Sequence, residues 1–172
     1  MQQFYELVQT GTTFSLRSIN EAYDKSLKEL ADNGTTSVVK NLQMLNLQKM
    51  IHALGMFSVV EGYLQKELGS KNALNEVEMI LEQTGELALK EDFRNYNLAM
   101  DMLKHGKAPE FIHILERISH LTDTKDPAVC LEGDVSCVHG LPKVNDSFIM
   151  NYLDIIEKII SCITLKISEG NK

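Results

Sequence analysis

The side chains best equipped for chemistry lie between Lys90 and Lys107, in the stretch KEDFRNYNLAMDMLKHGK. Arg94, Asn97, Asp101 and His105 recur there at spacings of three, four and four. On a helix, residues three or four apart are neighbours. Asp101 can then pair with His105, and Asn97 can bond Asp101. Lys104 and His105 fall in the last turn before Gly106, where a helix C-terminus favours cations and tends to hold a histidine proton. A histidine titrating near neutrality beside a lysine and an ordered carboxylate suits phosphate binding or acid–base work. The alternative is a solvated polar flank that ends in an ordinary glycine C-cap.

The element that must carry this stripe is an amphipathic helix. Leu89, Phe93, Tyr96, Met100 and Leu103 follow at spacings of four, three, four and three, an apolar face that has to pack on something. A second carboxylate stands out earlier in the chain. Residues 36–68 read as one long helix without proline, approaching roughly 50 Å at 1.5 Å per residue. Met50, Leu54, Phe57, Leu64 and Leu68 make its expected stripe, and Glu61 falls inside it. A carboxylate on an apolar face is costly unless paired. Glu61 either sits half exposed at the edge or pairs with a cation from a neighbouring helix, with Arg94 and Lys104 as the candidates. Gly55 and Gly62 weaken this helix, and they mark close helix approach or a bend or are simply tolerated.

Composition bounds the rest. The 172 residues fit one domain, 1–172, with a real core. Hydrophobic residues are 44% and charged residues 24%, with only three prolines and no tryptophan, which favours helix. The net charge of −7 disfavours a protein that coats nucleic acid, although a local basic site remains open. No run approaches the roughly 18 apolar residues of a membrane span. The N-terminus lacks the basic and apolar regions of a signal peptide. Three cysteines, an odd number, argue against a secreted disulfide framework. The expectation is a soluble, cytoplasmic protein.

Taken in order, residues 1–32 read as helix with a break near Gly11-Thr12-Thr13, and Phe14, Leu16, Ile19, Tyr23, Leu27 and Leu30 form the apolar face. Asp32-Asn33-Gly34 is a turn, and Thr35, Thr36 or Ser37 can cap the next helix. Residues 72–83 form a short helix with Leu74, Val77, Ile80 and Leu81 inward. Ala108-Pro109-Glu110 starts another, whose face is Phe111, Ile114, Leu115 and Ile118. His113, Glu116 and His120 lie opposite without a third strong ligand at motif spacing. Residues 122–145 break the helical pattern and suit a long irregular loop or a small hairpin. Cys130, Cys137 and His139 in that stretch could hold zinc, but their spacing matches no compact zinc signature. Asp146-Ser147 caps a last helix so broadly apolar, from Phe148 to Ile167, that it must be central to the bundle or lie at a subunit interface. The fold expected is an all-α, up-and-down bundle of five to six helices.

Two segments, SVVEGYLQKEL and DFRNYNLAMDMLKHGK, resemble the HEPN superfamily (higher eukaryote and prokaryote nucleotide-binding) over about residues 36–107. The resemblance implies a helical bundle, usually dimeric. Many of its members are metal-independent ribonucleases, and others are inactive or bind nucleotides. By that likeness Arg94, Asn95 and His105 would be catalytic candidates, Lys104 or Lys107 would assist phosphate binding, and Glu61 would match a common acidic position. One departure bears on this. The family motif has four to six residues between Arg and His, and here there are ten. Arg94 and His105 would then lie about 16 Å apart along one helix. Either the ribonuclease is absent or a two-fold dimer brings Arg94 of one subunit to His105 of the other.

Two functions are therefore expected. One is a HEPN-like nuclease or a nucleotide- or RNA-binding protein, with His105 as acid–base and Arg94 and Lys104 supplying phosphate electrostatics, without a metal. The other is a non-catalytic helical interaction or regulatory module, with a protein partner, in which Glu61, Asn95, Asn97, Asp101 and His105 are structural. No P-loop and no Gly-x-Ser-x-Gly elbow is present, and nothing calls for a redox cofactor or a metal.

Overall fold

Among the described residues six helices follow one another: α1 (Gln2–Asn33), α2 (Thr36–Leu68), α3 (Ala73–Gln83), α4 (Leu87–Lys104), α5 (Ala108–Arg117) and α6 (Asp146–Gly170). The computed structural model of the chain describes residues 1–121, 135–136, 138 and 141–170, the side chains of 108 and 167–170 excepted. Among the described residues there is no strand, and the chain is an all-α helical bundle. No helix among them is long and apolar enough to cross a membrane.

Short turns set the antiparallel order. α1 and α2 form a hairpin closed by two residues, where Thr35 Oγ1 accepts from the Val38 amide at 3.4 Å. At its far end Phe4 stacks on Tyr63, with ring centroids 3.7 Å apart. α2, α3 and α4 each end at a glycine with positive φ: Gly69, Gly85 and Gly106. An L side chain there would meet its own backbone, so glycine makes the reversal cheap.

The expected break at Gly11 does not occur, because α1 runs unbroken through Gly11-Thr12-Thr13. Helical neighbours on both sides and packing of Tyr5, Leu16 and Ile19 into the bundle outweigh one glycine's cost of about 1 kcal/mol. Phe14, expected inward, is 72% exposed, and Leu27 is exposed as well.

α2 is rotated roughly a quarter turn from the expected stripe. Leu42, Leu45, Ala53, Met56, Val60 and Leu64 are its buried line, while Met50, Leu54, Phe57 and Leu68 only flank the core. The reason is tertiary. α2 is covered by α1 on one side and by α3 and α4 on the other, so its core face lies between those two contacts.

α6 is the central helix. Phe148, Ile149, Tyr152, Leu153, Ile156 and Ile159 are all buried, and α1, α3 and α4 pack around it. Its cap differs from expectation: Asn145 Oδ1 accepts from the Phe148 amide at 2.9 Å and from the Ser147 hydroxyl at 3.0 Å. Asp146 is instead drawn sideways. It pairs with Lys49 at 2.7 Å and accepts from Asn20 at 2.5 Å, tying α6 to the middle of the α1–α2 hairpin.

Candidate functional site

α4 is the helix the sequence singled out, and its apolar face is as expected. Leu89, Phe93, Tyr96, Met100 and Leu103 are all buried. They meet α6 through an aromatic cluster: Tyr96 lies 5.0 Å from Phe148 and 5.7 Å from Tyr152, and Phe57 of α2 and Phe111 of α5 close its edges. Burial raises the Tyr96 phenol above its ordinary range, and the carboxylates of Asp92 and Asp154 add to that. Tyr152 is raised likewise by burial, then by Glu61. These phenols stay protonated at neutral pH, so the cluster is neutral packing.

The polar stripe divides into residues that serve the fold and residues that remain free. Arg94 serves the fold. Its Nε and one terminal nitrogen donate to Glu78 Oε2 at 3.1 and 2.5 Å, and those hydrogen bonds, then the Glu78 charge, push the guanidinium pKa further up. One turn earlier, Lys90 pairs with Glu82 at 2.7 Å and lowers the Glu82 carboxyl. These two rungs clasp α4 antiparallel to α3. Asn95 also serves the fold: it is 3% exposed and donates to Glu91 Oε1 at 3.2 Å. Asn97 is half-buried and makes no hydrogen bond to Asp101; its side-chain oxygen is buried without a protein partner.

The corner at the end of α4 has the expected form. The Gly106 amide donates to Leu103 O at 3.2 Å, and the Lys107 amide to Met102 O at 2.9 Å. That is the double closure of a Schellman turn. It leaves His105 54% exposed, with Nε2 3.4 Å from Asp101 Oδ1. The pair is long and solvated, so it orients the ring only weakly. Lys104 and Lys107 are exposed beside it and enter no ion pair among the described residues. Two lysines and a histidine therefore share one solvent-facing corner.

Of the two placements expected for Glu61, the half-exposed edge is the one observed, and neither Arg94 nor Lys104 pairs with it. Arg94 is held by Glu78, and Lys104 is exposed at the corner. Glu61 sits at the half-buried edge of α2 and accepts from Gln65 of its own helix at 3.4 Å. Arg94 and His105 belong to one straight run of helix and its C-cap, which separates them by about 16 Å along the axis. Within the chain they do not converge on a common phosphate.

Among the described residues no three His, Cys, Asp or Glu side chains gather as a metal site requires. His113 faces Glu116 at 3.5 Å and His120 faces Asp92 at 3.0 Å, as separate pairs. Cys130, Cys137 and His139 lie outside the described residues, as does most of the 122–145 stretch.

One surface feature escaped the reading of the sequence. Met44, Leu47, Ile51 and Val59 are exposed on α2, away from its buried line. The signal was present as apolar residues outside the chosen stripe, but that stripe was placed a quarter turn off. Gly55 and Gly62 lie on this outward face, and a Cβ on either would meet nothing within 4 Å. Close packing inside the chain is therefore not what they are for.

No protein-family model matches the sequence, and comparison with characterised proteins and with solved structures finds no match.

Proposed function

We propose that this chain is a non-catalytic helical interaction module. The observation that carries the reading is the engagement of Arg94 by Glu78. A ribonuclease of the kind the sequence resembles needs that guanidinium beside the histidine, aimed at the scissile phosphate. Here it clasps two helices about 16 Å from His105. Asn95, the second candidate, is buried against its own helix. His105 has an exposed imidazole but, among the described residues, no cation positioned across from it.

The test is direct. The purified chain and its His105→Ala variant are incubated with single-stranded RNA in EDTA, and the products are resolved on a gel. Neither is expected to cleave. Cleavage by the parent chain that disappears in His105→Ala would overturn the reading.

A second reading is favoured by the corner of Lys104, His105 and Lys107, which is open to solvent. It is a HEPN-like bundle that binds RNA or a nucleotide there through phosphate, with any ribonuclease activity assembled across a dimer. Binding of this kind weakens steeply with salt. Loss of a salt-dependent RNA shift in the Lys104→Ala, Lys107→Ala double variant would favour it.

A further inference from the structure

α2 has a second apolar face that no described helix covers; Val138, Leu141 and Pro142 reach only its edge, beside Leu47. Met44, Leu47, Ile51 and Val59 are exposed on it, and Gly55, Ser58 and Gly62 complete it. Between Lys40 and Lys66 no exposed position of α2 carries a charge. That is unusual for a solvated face in a chain of which 24% is charged, since the outward side of a surface helix is normally its polar side. The glycines sharpen the point. Both weaken the helix, and neither is needed for packing within the chain.

We infer that this face pairs with α2 of a second copy of the chain, the two helices antiparallel about a two-fold axis at Gly55. The inference deepens the interaction-module reading, on which it rests, by naming the partner.

Self-complementarity supports it. A two-fold interface places each residue opposite its mirror position about the axis. With Gly55 on the axis, Ile51 meets the partner's Val59, and Leu47 and Gln48 reach the notch at the partner's Gly62. Glycine at the crossing point allows the two backbones to approach closely. Charge favours the same orientation. A parallel pairing in register would set Lys40 against the partner's Lys40 and Lys66 against the partner's Lys66. The antiparallel one separates them and lays Lys66 along the partner's Met44.

The area is adequate for a modest dimer. The face runs about 27 Å from Met44 to Gly62. α1 lies beside α2, and the Phe4–Tyr63 stack fixes the register of the hairpin. Exposed Phe14 then sits at about the height of Ala53, and exposed Leu7 near Val60. Two helices side by side are about 20 Å wide, so the patch is on the order of 500 Å² per subunit. The total, about 1,000 Å², stands at the lower bound for a specific interface, the range of weak and transient dimers.

The test is sedimentation equilibrium of the full chain over roughly 1–200 µM, with two variants. The parent mass should rise from the 19.4 kDa of one chain towards twice that value. Gly55→Leu fills the notch at the axis and should weaken association about tenfold or more. Ile51→Glu places two carboxylates near the axis and should weaken it about a hundredfold. Both positions are exposed, so the dilute variants should keep the parent's helical content and melt no lower, Gly55→Leu somewhat higher because a helix-interior glycine is removed. A parent chain that is monomeric throughout overturns the inference, as does a dimer that neither variant weakens. Either result leaves the interaction-module reading to the RNA assay. Conversely, RNA cleavage would remove that reading without touching the dimer.

Discussion

Alanine at Gly11 and alanine at Gly106 should move stability in opposite directions. Gly11 lies in the interior of α1, its φ is not positive, and a Cβ there meets nothing within 4 Å. Alanine removes backbone freedom from the unfolded chain without strain, so Gly11→Ala should stabilise by about 1 kcal/mol. Gly106 has φ +65, a conformation in which an L residue costs roughly 1–2 kcal/mol. Gly106→Ala should therefore destabilise by about that amount. The two variants differ by roughly 2–3 kcal/mol. At about 2–4 °C per kcal/mol for a chain of this size, their melting temperatures should stand roughly 4–12 °C apart. Thermal melts by far-UV circular dichroism in dilute solution, with urea midpoints as a check, read this directly. Destabilisation by Gly11→Ala would mean that the Gly-Thr-Thr segment breaks α1 after all. A neutral Gly106→Ala would mean that the left-handed turn does not hold the corner that carries His105 and Lys107.

His52 gives a pH dependence. Burial lowers its pKa below the ordinary 6.5, and its Nε2 is buried without a protein partner. The fold thus favours neutral imidazole, and its stability is full above about 6.5 and is lost as pH falls towards the lowered folded value. The melting temperature should drop between about pH 7 and 5.5, above the range where carboxylates titrate, and His52→Gln should remove most of that drop. A parent and a variant with the same slope would refute it. Two phenylalanines test the burial pattern: Phe93→Ala, in the core of α4, should cost about 3–5 kcal/mol in urea titration. Phe14→Ala, on the outer side of α1, should stay within about 0.5 kcal/mol in dilute solution. Equal costs would mean that α1 is turned the other way.

The sequence alone determined the helices and most of their ends. Periodicity placed α2 from Thr36 to Leu68, α3 within one residue of its start, and the buried side of α4 except for Asn95 and Ala99. These are local matters. Apolar spacing, a threonine cap and glycine at the left-handed closing turns all act within a turn or two of the chain. The Lys104-His105-Gly106 corner was legible for the same reason.

Only the tertiary structure decided where the polar residues spend their charge. Arg94 looked free to bind phosphate, because its partner, Glu78, lies sixteen residues away on another helix. Spacing left Glu61 with two placements, a half-exposed edge or a cation partner, because it does not tell which side of α2 is covered. Packing by α1 on one side and by α3 and α4 on the other turned that face towards Ala53 and Val60, and left Glu61 at its edge. The same rotation brought Met44, Ile51, Gly55 and Val59 outward. Spacing within one helix fixes which residues share a face. Which face is covered depends on neighbours that are distant in sequence, and so does the pairing of each charge.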